Sequence, residues 1–135
     1  MYRIKSDYHL VLASGSPRRK ELLSGLGLEF EVVVSGCNED LVCGEPAKEM
    51  VERLACEKAN FVANARPRSW VLGADTTVAI GEQILGKPRD TREAFQMLQQ
   101  LQGREHLVWG AFCIVHAASN RQELRSDVTK VRMRP

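Results

Sequence analysis

Long hydrophobic runs are missing from this 135-residue sequence. No apolar stretch approaches the ~20 residues that a membrane helix needs, and the opening Met-Tyr-Arg-Ile-Lys holds no signal-peptide core. A cytoplasmic protein that keeps away from membranes is expected. Excess charge of one sign is missing too. With 19 Lys and Arg against 17 Asp and Glu, the formal charge is only +2, which gives no ground to expect nucleic acid as the partner. Cysteine is scarce: Cys37, Cys43, Cys56 and Cys113 form no Cys-x-x-Cys pair, so a zinc centre is not expected. Cys37 and Cys43 are expected as free thiols, and Cys56 and Cys113 fall inside apolar patterns. Repeats, low-complexity segments and any serine–histidine–acid or cysteine–histidine order are absent as well.

What remains is globular in composition, 44% hydrophobic and 27% charged, and residues 1–135 suit one domain. The chain is organised around residues 10–23, Leu-Val-Leu-Ala-Ser-Gly-Ser-Pro-Arg-Arg-Lys-Glu-Leu-Leu. The first four residues form a short apolar run expected of a buried strand. Ser16 is a good helix N-cap, and Pro17 suits the first helical position, where its missing N–H costs nothing. Arg18, Arg19 and Lys20 then crowd the positive end of a helix, at a cost of a few tenths of a kcal/mol per charge unless an anion is bound there. A phosphate would engage the free N–H groups, the serine hydroxyls and the guanidinium forks. A solvated basic turn is the plain alternative, and the local pattern does not choose between them.

The rest of the chain predicts a strand over residues 30–34, a polar loop over 35–46 holding Glu39, and a helix over 47–65. That helix has Met50, Val51, Leu54, Ala55, Ala59 and Val62 on one stripe. A strand over 70–80 runs into Asp75, Thr76 and Thr77, a turn follows at Gly81-Glu82, and 83–85 returns as a short strand. A helix over 92–102, capped by Asp90 or Thr91, is expected to turn Ala94, Phe95, Leu98 and Leu101 inward. Strands over 105–118 and 122–133 flank a turn at Ser119-Asn120. Strands alternating with helices, plus hairpins, predict an α/β fold with a mixed β-sheet flanked by helices.

Asp75 stands where a buried strand should stay apolar. Strand-end carboxylates of α/β sheets face the crevice where ligands bind, and Mg²⁺ needs only one or two carboxylates beside substrate phosphates. Glu39 is the best second acid. The plain readings are a local turn contact for Asp75 and a solvated loop charge for Glu39. Lys58 sits among Leu54, Ala55 and Ala59, either pointing inward or snorkelling to water. Lys87, between Gly86 and Pro88, is either a phosphate reader or plain surface, and His106 is expected to be structural.

Five linked motifs run in order: residues 12–19, Leu-Ala-Ser-Gly-Ser-Pro-Arg-Arg; Arg53-Leu-Ala-x-x-Lys58-Ala59; Leu72-Gly-Ala-Asp75-Thr76; Leu85-Gly-Lys87-Pro88; and Leu101-x-Gly-x-x-His106-x-Val108. Together they resemble the Maf-type nucleoside triphosphate pyrophosphatases, the septum formation inhibitor family, over essentially the whole chain. The resemblance implies a two-lobed architecture like that of inosine triphosphatase, with a central cleft. It implies a metal-dependent hydrolase that clears non-standard nucleotides, attacking at the α-phosphorus to give a nucleoside monophosphate and pyrophosphate. Ser14, Arg18, Arg19 and Thr76 would bind substrate. Glu39 and Asp75 would hold a divalent cation, Mg²⁺ or Mn²⁺, with Asp75 also the base, and Lys58 and Lys87 would contact the phosphates. The Ser-Pro-Arg-Arg form resembles the branch acting on dTTP and UTP, commonly a homodimer.

Two departures accompany the resemblance. Gly110 stands where the family usually has threonine. Family members also continue beyond Pro135, so a chain ending there is expected to lack one wall of the site and expose apolar surface. Such a chain would turn over weakly unless a partner or a rearrangement fills the gap. The alternative function is a catalytically weak nucleotide- or nucleic-acid-binding module linked to cell-division control.

Overall fold

The structure is a computed structural model that describes residues 9–36, 42, 44–86 and 89–134. The sequence readings at Cys37, Glu39, Cys43 and Lys87 lie outside the described residues. In chain order the elements are β1 (Leu10–Leu12), α1 (Pro17–Gly25), β2 (Glu31–Val32), α2 (Ala47–Ala65), β3 (Trp70–Ile80), β4 (Gln83–Leu85), α3 (Thr91–Leu101), β5 (Glu105–His116) and β6 (Arg121–Arg132), with a 3-10 turn at Ala117–Ser119.

The strands form one mixed sheet in the order β2-β1-β3-β5-β6, and β4 pairs separately with β3. β1 is parallel to both β2 and β3, which requires crossover helices, whereas β4 and β5 run antiparallel to β3, and β6 antiparallel to β5. β5 and β6 pair along their whole length, from Glu105 opposite Arg132 to His116 opposite Arg121. Asn120 closes that hairpin at φ 54°, a left-handed conformation that asparagine tolerates better than most residues.

One face of the sheet carries α2. Its stripe of Met50, Val51, Leu54, Ala55, Ala59 and Val62, with Ala63, is buried, as the spacing predicts. The core joins that stripe to Val11, Ala13, Val71, Ala111, Cys113 and Val115 from β1, the residue after it, β3 and β5. At Gly73 helix and sheet approach closely: a Cβ there would stand 2.5 Å from the Ala55 carbonyl oxygen and 2.7 Å from the Ala59 nitrogen. Only hydrogen fits between β3 and α2 at this point.

Two expectations are corrected. The second strand shrinks to Glu31–Val32, because only Leu10–Leu12 lies alongside to pair with it. More substantially, α3 turns none of its residues into the core: Phe95 is 60% and Leu98 54% exposed. Its apolar stripe is real, but among the described residues no element covers it. Periodicity tells which face of a helix is apolar, not whether that face is covered.

Candidate active site

The site lies where β1 stops and β3 continues. β1 pairs with β3 only as far as Leu12 opposite Leu72, and Ala13 N–H donates to the Leu72 carbonyl at 2.9 Å. β4 joins that same edge of β3 only from Val78 onward, since β5 occupies the other edge from Val71 to Ala79. Among the described residues the edge of β3 between these partners is left without a strand, a notch centred on Ala74, Asp75 and Thr76. Successive side chains of a strand point to opposite faces. Asp75 therefore shares the α2 face with Gly73, while Thr76 looks to the other face, which carries α1.

Each face delivers one cation to the notch. From α2, Lys58 Nζ donates to Asp75 Oδ1 at 3.0 Å and to the Ala74 carbonyl at 3.4 Å, with side-chain exposures of only 13% and 14% for the pair. The lysine thus turns inward rather than running out to water. From α1, Arg19 Nη2 donates to Thr76 Oγ1 at 3.2 Å and Nη1 to Ser14 Oγ at 3.4 Å. Ser14 is buried, and its hydroxyl also accepts the Ser16 N–H at 3.1 Å.

The turn between β1 and α1 forms as its sequence dictates. Ser16 is extended at φ −79°, its hydroxyl accepts the Arg19 N–H at 3.3 Å, and Pro17 follows in the first turn. No acidic residue occupies that turn, so the positive end of the helix dipole is answered by no carboxylate of its own. Arg18 is exposed and does not line the groove described below. The structure therefore brings Ser14, Arg19, Lys58, Asp75 and Thr76 together and leaves Arg18 at the margin.

Two further motif residues have surroundings of their own. Arg53 grips Glu45 through its Nε and Nη2, at 2.9 Å each to the two carboxylate oxygens, and reaches Glu57 through Nη1 at 3.2 Å. This pins the approach to α2, and the guanidinium beside Glu45 holds its carboxyl below the usual value. His106 is buried at the start of β5, with no partner for Nδ1 among the described residues. Cys113 is chemically quiet, because burial, with a lesser contribution from Cys56, pushes its thiol up to about 12.

A groove of about 570 Å³ opens from the notch along the α1 face. Arg19, Asp75 and Thr76 line one end, and Arg125, Ser126 and Asp127 of β6 line the far side. Nothing in the sequence around Arg125 marks it as a site residue. What places it here is the cross-strand row Ala74–Phe112–Arg125, beside the row Thr76–Gly110–Asp127. That register is a tertiary fact with no local signal. Among the described residues no group of three or more His, Cys, Asp and Glu forms a metal cage. A single carboxylate beside phosphate oxygens is nonetheless a donor set that Mg²⁺ accepts, and Asp75 is the notch carboxylate that would offer it. No helix of the described residues is long and apolar enough to cross a membrane.

The sequence model of the Maf-like protein family matches residues 9–135. A dTTP/UTP pyrophosphatase of Desulforamulus reducens is 45% identical over 122 residues, 90% of this chain and 64% of the relative. A protein of the same description from Myxococcus xanthus is 48% identical over 120 residues, 89% of this chain and 61% of the relative. The chain thus spans less than two thirds of the length of these curated relatives. Among solved structures, a HAM1 protein from Coxiella burnetii superposes with a TM-score of 0.61 at 19% identity, over 91% of this chain and 71% of that one. At that identity the likeness is one of fold.

Proposed function

The chain belongs to the Maf-like protein family, and from that premise we propose that it hydrolyses nucleoside triphosphates, dTTP and UTP first, to the monophosphate and pyrophosphate. One observation carries the reading: two cations on opposite faces of the sheet, Lys58 and Arg19, converge on the adjacent residues Asp75 and Thr76. An isolated surface anion site needs no carboxylate, and an isolated ion pair needs no helix N-terminus. A triphosphate hydrolase needs both. The description of relatives 45% and 48% identical as dTTP/UTP pyrophosphatases supports the choice of bases.

In this reading the phosphate chain lies across the notch against the first N–H groups of α1. Ser14 holds the Arg19 fork in place, and Arg19 and Thr76 bind phosphate oxygens, with Arg18 adding charge from the margin. Asp75 orients a water and takes its proton as the water oxygen bonds to the α-phosphorus. The bond from that phosphorus to the bridging oxygen breaks, and pyrophosphate departs with the bonding pair. Lys58 fixes the Asp75 carboxylate and neutralises charge that grows on the phosphates. Asp75 and Glu39 would hold a divalent cation, Mg²⁺ or Mn²⁺, which when bound supplies Lewis-acid charge stabilisation. Lys87 would contact the leaving phosphates. A homodimer in the cytoplasm is the setting this reading takes.

Pyrophosphate release from dTTP, UTP, CTP and GTP tests it, measured with Mg²⁺, with Mn²⁺ and with chelator, beside Asp75→Asn. The expected result is metal-dependent release, highest for dTTP and UTP and lost in the variant. A folded protein that binds these nucleotides and releases nothing would make it a binding module instead.

A further inference from the structure

Two thiols meet between α2 and the sheet, and the proposed hydrolysis uses neither. β5 lies between β3 and β6 in the sheet. α2 lies against β3 at Gly73, beside Ala55 and Ala59, and reaches β6 at Gln122, whose side chain bonds to Asn60 and to the Cys56 sulfur. Cys56 therefore stands over β5, and the β5 residue opposite Gly73 is Cys113. Cys113 is fully buried in the core beneath α2, and half-buried Cys56 packs against that core. The two side chains share a hydrogen bond. Burial keeps Cys113 protonated, with its thiol pushed up to about 12, so its S–H donates and the Cys56 Sγ accepts. Gln122 Nε2 donates to the same sulfur at 3.8 Å, while Asn60 Nδ2 donates to Gln122 Oε1 at 3.1 Å and to the Cys56 carbonyl at 2.8 Å. Cys56 is thus the reachable sulfur of the pair, and Cys113 is the one out of water.

We propose that Cys56 is a peroxide-reactive site whose oxidation Cys113 resolves into a reversible disulfide between α2 and β5. The Cys56 sulfur attacks one oxygen of hydrogen peroxide: the S–O bond forms, the O–O bond breaks, and the departing hydroxide leaves as water with the thiol proton. The Cys113 sulfur then bonds to the Cys56 sulfur, the S–O bond breaks, and the hydroxide takes the Cys113 proton to leave as a second water. The two thiols are oxidised to one disulfide, and one peroxide is reduced to two waters. A high pKa makes Cys113 a poor nucleophile toward oxidants in solution. Toward a sulfur already at hydrogen-bond distance it is competent, because proximity replaces a bimolecular encounter. The bond fastens α2 to the sheet two residues before Lys58, and it stabilises the native state by constraining the unfolded chain. This proposal concerns thiol chemistry and holds whether or not the protein turns over nucleotides.

The test uses the 135-residue chain carrying Cys37→Ser and Cys43→Ser, which leaves these two thiols alone. The folded protein is treated with equimolar hydrogen peroxide and read by intact mass, thiol titration and peptide mapping without reductant. The expected result is loss of two hydrogens and of both thiols, a linked peptide joining Cys56 to Cys113, and a higher melting temperature, all reversed by dithiothreitol. With Cys113→Ala added, Cys56 should instead stop at the sulfenic acid, captured by dimedone as a covalent adduct, with no rise in melting temperature. With Cys56→Ser added, Cys113 should stay unmodified, since it lies out of water. The proposal is overturned if the folded protein does not react, if Cys56 gains oxygen without the bridge while Cys113 is present, or if the bridge forms only between two chains. It is equally overturned if the linked peptide appears only after unfolding, because the native packing would then not bring the sulfurs together.

Discussion

Lys58 and Asp75 meet beside the tight contact of α2 with β3 at Gly73, with Nζ and Oδ1 3.0 Å apart and both side chains largely out of water. The pair ties the middle of α2 to the end of the apolar half of β3, and so links the core to the notch.

Removing either partner should therefore have two effects. Asp75→Asn is expected to lower pyrophosphate release by about 10²- to 10⁴-fold, the usual loss of a general base. Lys58→Met should lower it as well and destabilise the fold by about 1 to 3 kcal/mol, between the values for exposed and fully buried pairs. Thermal melts beside single-turnover rates check both. An unchanged rate in Asp75→Asn would remove Asp75 from the chemistry.

Arg19 makes its side-chain hydrogen bonds to Ser14 and Thr76 at the rim of the notch rather than in the core. Arg19→Ala should leave the melting temperature nearly unchanged and lower kcat/KM by about tenfold to a hundredfold, the value of one charge-assisted contact. Arg19→Lys should recover only part, since the lysine lacks the planar fork. Arg18→Ala, at an exposed position of the same turn outside the groove lining, should cost clearly less. Steady-state kinetics of the three variants distinguish a phosphate site from a merely basic turn.

Gly73→Ala is expected to be among the most damaging small substitutions. Its Cβ would fall 2.5 Å and 2.7 Å from backbone atoms of α2, and backbone has no rotamer to change. The helix must lift from the sheet, at about 3 kcal/mol, the upper end of ordinary overpacking. Because Gly73 precedes Asp75 by two residues on the same face, activity should fall further than stability alone explains. Denaturant melts and rates measured well below the transition separate the two effects.

How much of this was legible follows residue by residue. Ser16, Pro17 and the cations after them announce a helix N-terminus, because capping chemistry is local. Asp75 and Thr76 announce themselves by breaking an apolar run. The buried stripe of α2 follows from period alone. The exposure of Phe95 and Leu98 does not, since burial needs a partner surface that periodicity cannot name. The groove was equally hidden: Phe112 and Arg125 become neighbours of Ala74 only through the β3–β5–β6 register. Glu39 and Lys87 lie outside the described residues, so their proposed roles rest on the motifs.

Acid sensitivity should trace in part to Glu31. Arg66 grips its carboxylate at 2.6 Å and 3.0 Å, and His9 adds a contact at 2.9 Å. The Arg66 hydrogen bonds first, and His9 second, lower its pKa from 4.5 to about 2. A carboxylate with a lowered folded-state pKa contributes stability that is complete above the unfolded value and fades as pH falls through the folded one. The advantage of the native protein over Glu31→Gln should thus be constant above pH 4.5 and shrink between 4.5 and about 2. Paired melts across that range check it, and a gap that persists unchanged to pH 2 would contradict it.

Gly110 invites the opposite kind of substitution. It sits in mid-strand opposite Thr76 and Asp127, and among the described residues a Cβ there would meet only Thr76 Oγ1, at 4.0 Å. Glycine inside a strand costs about 0.5 to 1 kcal/mol through its conformational freedom, and a β-branched residue suits the pleated surface better. Gly110→Thr should therefore raise stability by about that amount with no clash to offset it. The new side chain stands in the groove beside the residue that Arg19 contacts. If the substrate reaches past Thr76 toward β6, KM should rise while kcat holds. If it stays within the notch, both constants should be unmoved and only the melting temperature should change.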